Sequence, residues 1–137
     1  MPHVVRFGVS LEEPLLAQWD TLVKKKGYTN RSEALRDLIR SELVGQEWVE
    51  GKEVVGSVTL VYDHHKRELV RKLTSLQHDF GGVILASQHI HIDHHHCLEI
   101  IAVKGSPGRI RELSDALRGT KGVKHGALSM STTAKTL

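Results

Sequence analysis

Residues 88–99 read QHIHIDHHHCLE and hold the only cysteine, Cys97, together with five of the ten histidines. On a strand His89 and His91 point to one face, because side chains alternate. A hairpin over 93–96 returns Cys97 opposite them, so two imidazoles and one thiol converge without any long-range contact. Two nitrogens and a thiolate suit Zn, Cu or Ni and suit Ca or Mg poorly. Binding needs neutral imidazole and ionised thiol, so affinity falls as pH drops. Glu99 follows on the same strand and is placed to support such a site from behind. The plainer alternative leaves both histidines solvated and Cys97 as core filler. It loses ground because all three donors fall on one hairpin in a chain with no other cysteine.

The remaining histidines are less specific. His78 closes a helix, where a histidine ordinarily relieves the helix dipole; it is also available as a fourth ligand. His94, His95 and His96 read as solvated loop residues rather than primary ligands. His3, His64, His65 and His125 read as surface or structural.

The elements that must position these donors follow from periodicity. A strand at 53–62, a helix at 64–79 stopped by Gly81-Gly82, strands at 83–92 and 97–104, a helix at 107–118 and a last strand at 122–132 give the order βαββαβ. That order is the ferredoxin-like arrangement, an antiparallel sheet with two helices on one face. Ahead of it, Val5, Phe7 and Val9 alternate with Arg6, Gly8 and Ser10, the pattern of a strand over 4–10. Leu15, Leu16, Trp19, Leu22 and Val23 then mark an amphipathic helix, with Ser10 and Glu13 as its capping box and Gly27 as its stop. A second helix carries Leu35, Leu38, Ile39 and Leu43; Asn30 caps it with Glu33, and Gly45 ends it. The chain thus reads as α+β: residues 1–46, a linker at 47–52, and a second domain at 53–137.

The first unit is too small to bury a sizeable core, and its strand has no partner in its own sequence. Two chains laying their strands side by side as an antiparallel ribbon remove both difficulties, so an obligate dimer is expected. Such a ribbon fits the major groove. Arg6 then suits a guanine edge and Ser10 a base or phosphate, while the helix starting after Asn30 offers its amides to phosphate. An ordinary protein-interaction edge strand is the alternative.

Composition sets outer limits. The chain has 137 residues, of which 39% are hydrophobic and 26% charged, so it folds rather than staying disordered. Aromatics at 4% leave the core to aliphatic side chains. No apolar run approaches the roughly 18 residues of a membrane span, and the start lacks a signal-peptide core, so a cytoplasmic protein is expected. The net charge of +3 is spread over both halves. DNA affinity must therefore come from a few well-placed charges doubled by symmetry.

At this point the whole chain resembles the NikR-type nickel-responsive transcriptional regulators. RFGVSL and GYTNRSEALRDLIR resemble their ribbon-helix-helix domain, and SLQHD, QHIHIDHHHCLEI and VKHGAL resemble their ACT-like regulatory domain. The resemblance implies Ni(2+), one per subunit, bound by His89, His91 and Cys97 of one protomer and by His78 of a neighbour. It implies a homotetramer in which two N-terminal dimers flank four regulatory domains, and nickel-promoted binding of double-stranded operator DNA as a repressor. It also implies a second cation, potassium, at Glu33 and Asp37, and non-specific DNA phosphate contacts from Lys66 and Arg67. Members of that family usually carry Ser or Thr where this chain has Gly8, at a position the resemblance places against DNA; a lost base contact is worth about 1–3 kcal/mol, so an altered operator preference is expected. Two other readings are a regulator answering to a different metal or a small molecule, and a small metallohydrolase or cysteine-nucleophile enzyme. The second lacks a nucleophile elbow, a phosphate loop and a catalytic carboxylate pair.

Overall fold

Pro14 has no amide hydrogen, so a helix that includes it must place it among the first three positions, whose amides bond nothing within the helix. In the computed structural model, which describes residues 3–137, α1 accordingly runs Glu13–Lys25 with Glu12 as its cap residue. The expected Ser10–Glu13 capping box does not form. A cap at Ser10 would have put Pro14 where the first helical hydrogen bond is made; that bond instead runs from Leu16 N–H to the Glu12 carbonyl at 3.0 Å. At the other end Gly27 adopts φ 79°. Its amide and that of Tyr28 turn back to the carbonyls of Lys24 and Val23 at 3.1 Å each, the glycine-terminated stop the sequence predicts.

Asn30 opens the next helix, its side-chain oxygen accepting the Glu33 amide at 2.9 Å. Glu33 does not complete the reciprocal bond, because its carboxylate pairs with Arg36 at 3.3 Å. This helix, α2 (Arg31–Glu50), passes straight through Gly45. The expected linker at 47–52 is therefore helical as far as Glu50. Glycine inside a helix costs about 1 kcal/mol relative to alanine, and burial of Trp48 outweighs it. That side chain is 1% exposed, and its Nε1–H donates to the Ser131 carbonyl at 2.9 Å. Glu47, also buried, accepts from the hydroxyls of Thr132 at 2.9 Å and Thr136 at 3.1 Å.

The chain divides into two units, Met1–Ser41 and Glu42–Leu137. In the first, only Val23 and Ala34 are buried among the described hydrophobic residues, while Val5, Phe7 and Val9 are 77%, 70% and 60% exposed. Residues 3–12 make no strand ladder in the single chain, as expected of a strand with no partner in its own sequence. Arg31 ties α2 to α1 through two bonds to Asp20, at 2.7 and 2.8 Å, and this pairing holds the Asp20 carboxyl below the usual carboxylate range. An acid with a depressed folded value contributes stability above its unfolded value of about 3.9 and loses it as pH falls through the folded one. Acid titration followed by helical circular dichroism is expected to separate wild type from Asp20→Asn above that window and merge them below it. A difference that stays constant at every pH overturns this.

In the second unit β1 (Val54–Asp63) is the central strand, paired antiparallel with β3 (His96–Gly105) on one side and β4 (Val123–Met130) on the other, while β2 (Ile84–His91) forms the rim beyond β3. With α3 (Arg67–Asp79) and α4 (Pro107–Arg118) the order is βαββαβ and the sheet order β2-β3-β1-β4, the expected ferredoxin-like topology. α3 begins at Arg67 rather than at 64 because the preceding residues make a turn. Asp63 accepts the His65 amide at 2.9 Å through its side chain and the Lys66 amide at 3.3 Å through its carbonyl. One sheet face supplies Val58, Leu60, Tyr62, Ile101 and Val103 to a core shared with Leu73, Ile110, Leu113 and Leu117. Full burial of each aliphatic side chain contributes about 1.5–3 kcal/mol. Gly56 is required where Trp48 crosses the sheet, since an added Cβ would lie 2.5 Å from the Ser129 carbonyl and 3.3 Å from the indole.

Candidate metal centre

The hairpin between β2 and β3 sets the site by register. His91 pairs with Cys97 and His89 with Glu99. Directly opposed residues share a sheet face, so all four side chains lie on the face that carries the core. Cys97 and Glu99 are each 1% exposed, whereas His89 and His91, on the rim strand, are exposed. One buried sulfur thus sits beside two open imidazoles.

Glu99 is a buried carboxylate with three partners. Its Oε1 accepts from the Tyr62 hydroxyl at 2.7 Å and its Oε2 from Gln77 Nε2 at 3.0 Å, and His89 Nε2 stands 3.4 Å from that same Oε2. Removing one partner of such a group leaves an unpaired polar atom in the core, at about 1–3 kcal/mol. Burial, then the Glu99 carboxylate, pushes the Tyr62 phenol upward. Burial also pushes the Cys97 thiol up, with Glu99 and Asp63 adding to it and a bond with the Tyr62 hydroxyl acting the other way. A thiolate at this position calls for a cation beside it. Imidazole, imidazole and thiolate fit a borderline-soft transition metal, nickel among them.

His78 is exposed in the last turn of α3, next to Gln77, which reaches inward to Glu99. Among the described residues, the only group of three or more potential ligands whose donor atoms all lie within 4.8 Å of one another is Asp63, His65 and His95. The set His78, His89, His91 and Cys97 is not drawn that close within one chain. The ring of His91 stacks on His64, with centroids 4.6 Å apart. His64, read from the sequence as surface or structural, therefore stands beside a predicted donor, and His65, read the same way, packs on His64 with ring centroids 4.2 Å apart. The signal was a pair of histidines directly after a strand, but the pairing of β1 with β3 was needed to place them.

The other predicted positions sort as follows. Arg6, Gly8 and Ser10 are exposed in the segment before α1. Lys66 caps α3 and Arg67 opens it; both line a groove with Arg71, Lys72 and Lys121, a cationic surface suited to phosphate. Glu33 and Asp37 lie one turn apart on α2, but each has a partner already, Arg36 for the first and the Tyr28 hydroxyl for the second.

A unit of two helices behind an alternating apolar segment, followed by a ferredoxin-like domain with transition-metal donors at its rim, defines a class: DNA-binding regulators that respond to a metal. Residues 5–44 match the ribbon-helix-helix protein, copG family, and residues 55–131 match the NikR C terminal nickel binding domain. A protein of Syntrophus aciditrophicus that carries the name of a nickel-responsive regulator is 57% identical over 96% of each chain. One from Nitratidesulfovibrio vulgaris is 51% identical, covering 100% of this chain and 99% of its own, and one from Thermococcus onnurineus is 49% identical over 98% of each. Among solved structures, an uncharacterized protein from Thermotoga maritima aligns with a TM-score of 0.53 at 19% identity, over 58% of this chain and 98% of that one. This last likeness bears on the fold alone. The chain belongs to the NikR family of nickel-responsive regulators. It carries a ribbon-helix-helix DNA-binding domain and a nickel-binding domain, and it is a regulator, not an enzyme. Among the described residues no helix is long and apolar enough to cross a membrane.

Proposed function

We propose that this protein is a repressor whose binding to operator DNA is promoted by nickel held between subunits, with His89, His91 and Cys97 from one protomer and His78 from its neighbour. The observation that carries the reading is an incomplete donor set: register aligns three donors on one face of the hairpin, while His78 stands exposed on α3. Cys97 supplies the sulfur from a buried position, Glu99 steadies His89, and the two rim imidazoles remain open to a partner. When bound, nickel supplies the link that joins donors of two chains. A set split in this way closes in one quaternary arrangement only, so that arrangement gains the differential binding free energy.

The exposed row Val5, Phe7 and Val9 supports pairing of two chains through residues 4–10. That pairing buries the apolar row and turns Arg6, Gly8 and Ser10 outward to the major groove. Lys66 and Arg67 then add phosphate contacts that carry no sequence information. Glu33 and Asp37 take up the potassium ion of this reading only where Arg36 and Tyr28 turn away.

The test is complementation between chains. His78→Ala and Cys97→Ala proteins are each expected to lose the nickel–thiolate absorption. Refolded together, mixed assemblies hold some sites in which one chain keeps Cys97 and its neighbour keeps His78, and the absorption returns. If the mixture stays as silent as its components, the site is not shared and the proposal fails.

A further inference from the structure

We propose that residues 131–136 form a strap that fixes the end of α2 to the sheet of the nickel-binding domain, so that nickel occupancy reaches the DNA-binding unit through that helix. The inference rests on nickel-promoted DNA binding as proposed above. α2 begins in the first unit and ends in the second, so its last turns are where movement of the sheet can enter the helix. Chain ends ordinarily fray unless something ties them down. This one is tied. The Ser131 amide donates to the Val55 carbonyl at 2.9 Å, and the Ser131 carbonyl accepts Trp48 Nε1–H at 2.9 Å. The Thr132 and Thr136 hydroxyls donate to the Glu47 carboxylate at 2.9 and 3.1 Å. Between them Ala134 adopts φ 63°, a region that non-glycine residues seldom enter, and its amide bonds Thr132 Oγ1 at 3.0 Å. That reversal brings Thr136 back to the carboxylate Thr132 already holds.

Glu47 makes the attachment conditional. A buried carboxylate is costly unless hydrogen bonds satisfy it, and among the described residues the hydroxyls of Thr132 and Thr136 are its only hydrogen-bond partners. An apolar side chain here would pack α2 on the sheet with or without the chain end. A carboxylate packs there only while the two hydroxyls are in place, which is how a latch differs from a plain core contact. The central strand β1 links this latch to the metal donors. Gly56, near its start, lies under the Trp48 indole; Tyr62, near its end, pairs with Cys97 and bonds Glu99. At about 3.4 Å per residue, roughly 20 Å of strand separates the two.

Thr132→Val/Thr136→Val keeps the volume of both side chains and removes the two hydroxyls, whereas Thr132→Ser/Thr136→Ser retains them. Full-length proteins are compared by gel shift with and without Ni(II), with the nickel–thiolate absorption followed in parallel and thermal unfolding used to confirm the folded state. The valine pair is expected to keep the absorption and the nickel-free DNA affinity. Its gain in DNA affinity on adding nickel should fall below about a third of the wild-type gain, which for such couplings is typically about 5–150-fold. The serine pair should restore it. Thr136→Val alone leaves Thr132 on Glu47 and is expected to give an intermediate gain; it decides the matter if the valine pair does not fold, a full gain then counting against the strap. A valine pair with the full gain, a serine pair no better than the valine pair, or loss of the absorption together with the gain overturns the strap alone. A wild type with no nickel gain overturns both the strap and the reading on which it rests.

Discussion

Cys97→Ala is expected to remove the nickel dependence of DNA binding while leaving metal-independent binding in place. The sulfur is the one thiol in the chain, and the imidazoles around it cannot supply a thiolate. Its substitution by a side chain of similar size in a buried position perturbs the core little, so the change falls on the metal rather than on the fold. Coupling between two ligands through one conformational equilibrium is typically worth about 5–150-fold in affinity. Gel-shift titrations with and without Ni(II) should show a gain in that range for wild type and none for the variant. The two proteins should coincide when the metal is chelated. A variant that keeps its nickel response would place the responsive site elsewhere.

Trp48→Ala is expected to cost about 3–5 kcal/mol, as removal of a large buried aromatic does. In a chain of this size that corresponds to a fall of roughly 10–20 °C in the melting temperature. The indole fills the space over Gly56, and its N–H holds the Ser131 carbonyl, so alanine leaves both a cavity and an unpaired acceptor. Trp48→Phe separates the two: it retains most of the volume and gives up only the hydrogen bond, worth about 0.5–1.5 kcal/mol. Thermal unfolding by circular dichroism decides between them. A melting temperature unmoved by Trp48→Ala would mean that residues 46–50 act as a plain connector after all.

That last contrast shows where local pattern stops being informative. Gly45 reads as a helix stop because glycine usually is one, and the polar run QEWVEGK has no periodicity to extend the helix. What keeps α2 helical is a contact more than eighty residues away, between Trp48 and Ser131, which no window of sequence contains. The Ser10 capping box failed for the opposite reason. A local rule about proline, that it must fall ahead of the first helical hydrogen bond, overrode a local rule about serine. By contrast Asn30, Gly27 and the βαββαβ order were legible, because caps, stops and alternation are properties of neighbours. The donor hairpin belongs with these: spacing placed His89, His91 and Cys97 on one face, as the register has them. The Asp63, His65 and His95 group was not legible, since only the pairing of β1 with β3 brings its two loops together.

The two exposed imidazoles sit on β2, the outermost strand, which is bonded to β3 on one side and, among the described residues, has no strand beyond it. If those nitrogens hold nickel as proposed, its entry and exit run along the border of the sheet, where fraying is cheapest, and leave the interior undisturbed. An ion captured there could be surrendered by loosening one strand, with the hydrophobic interior still intact. Turnover of the signal would then be governed by that border and by the neighbouring subunit's grip, decoupled from the global stability of the fold.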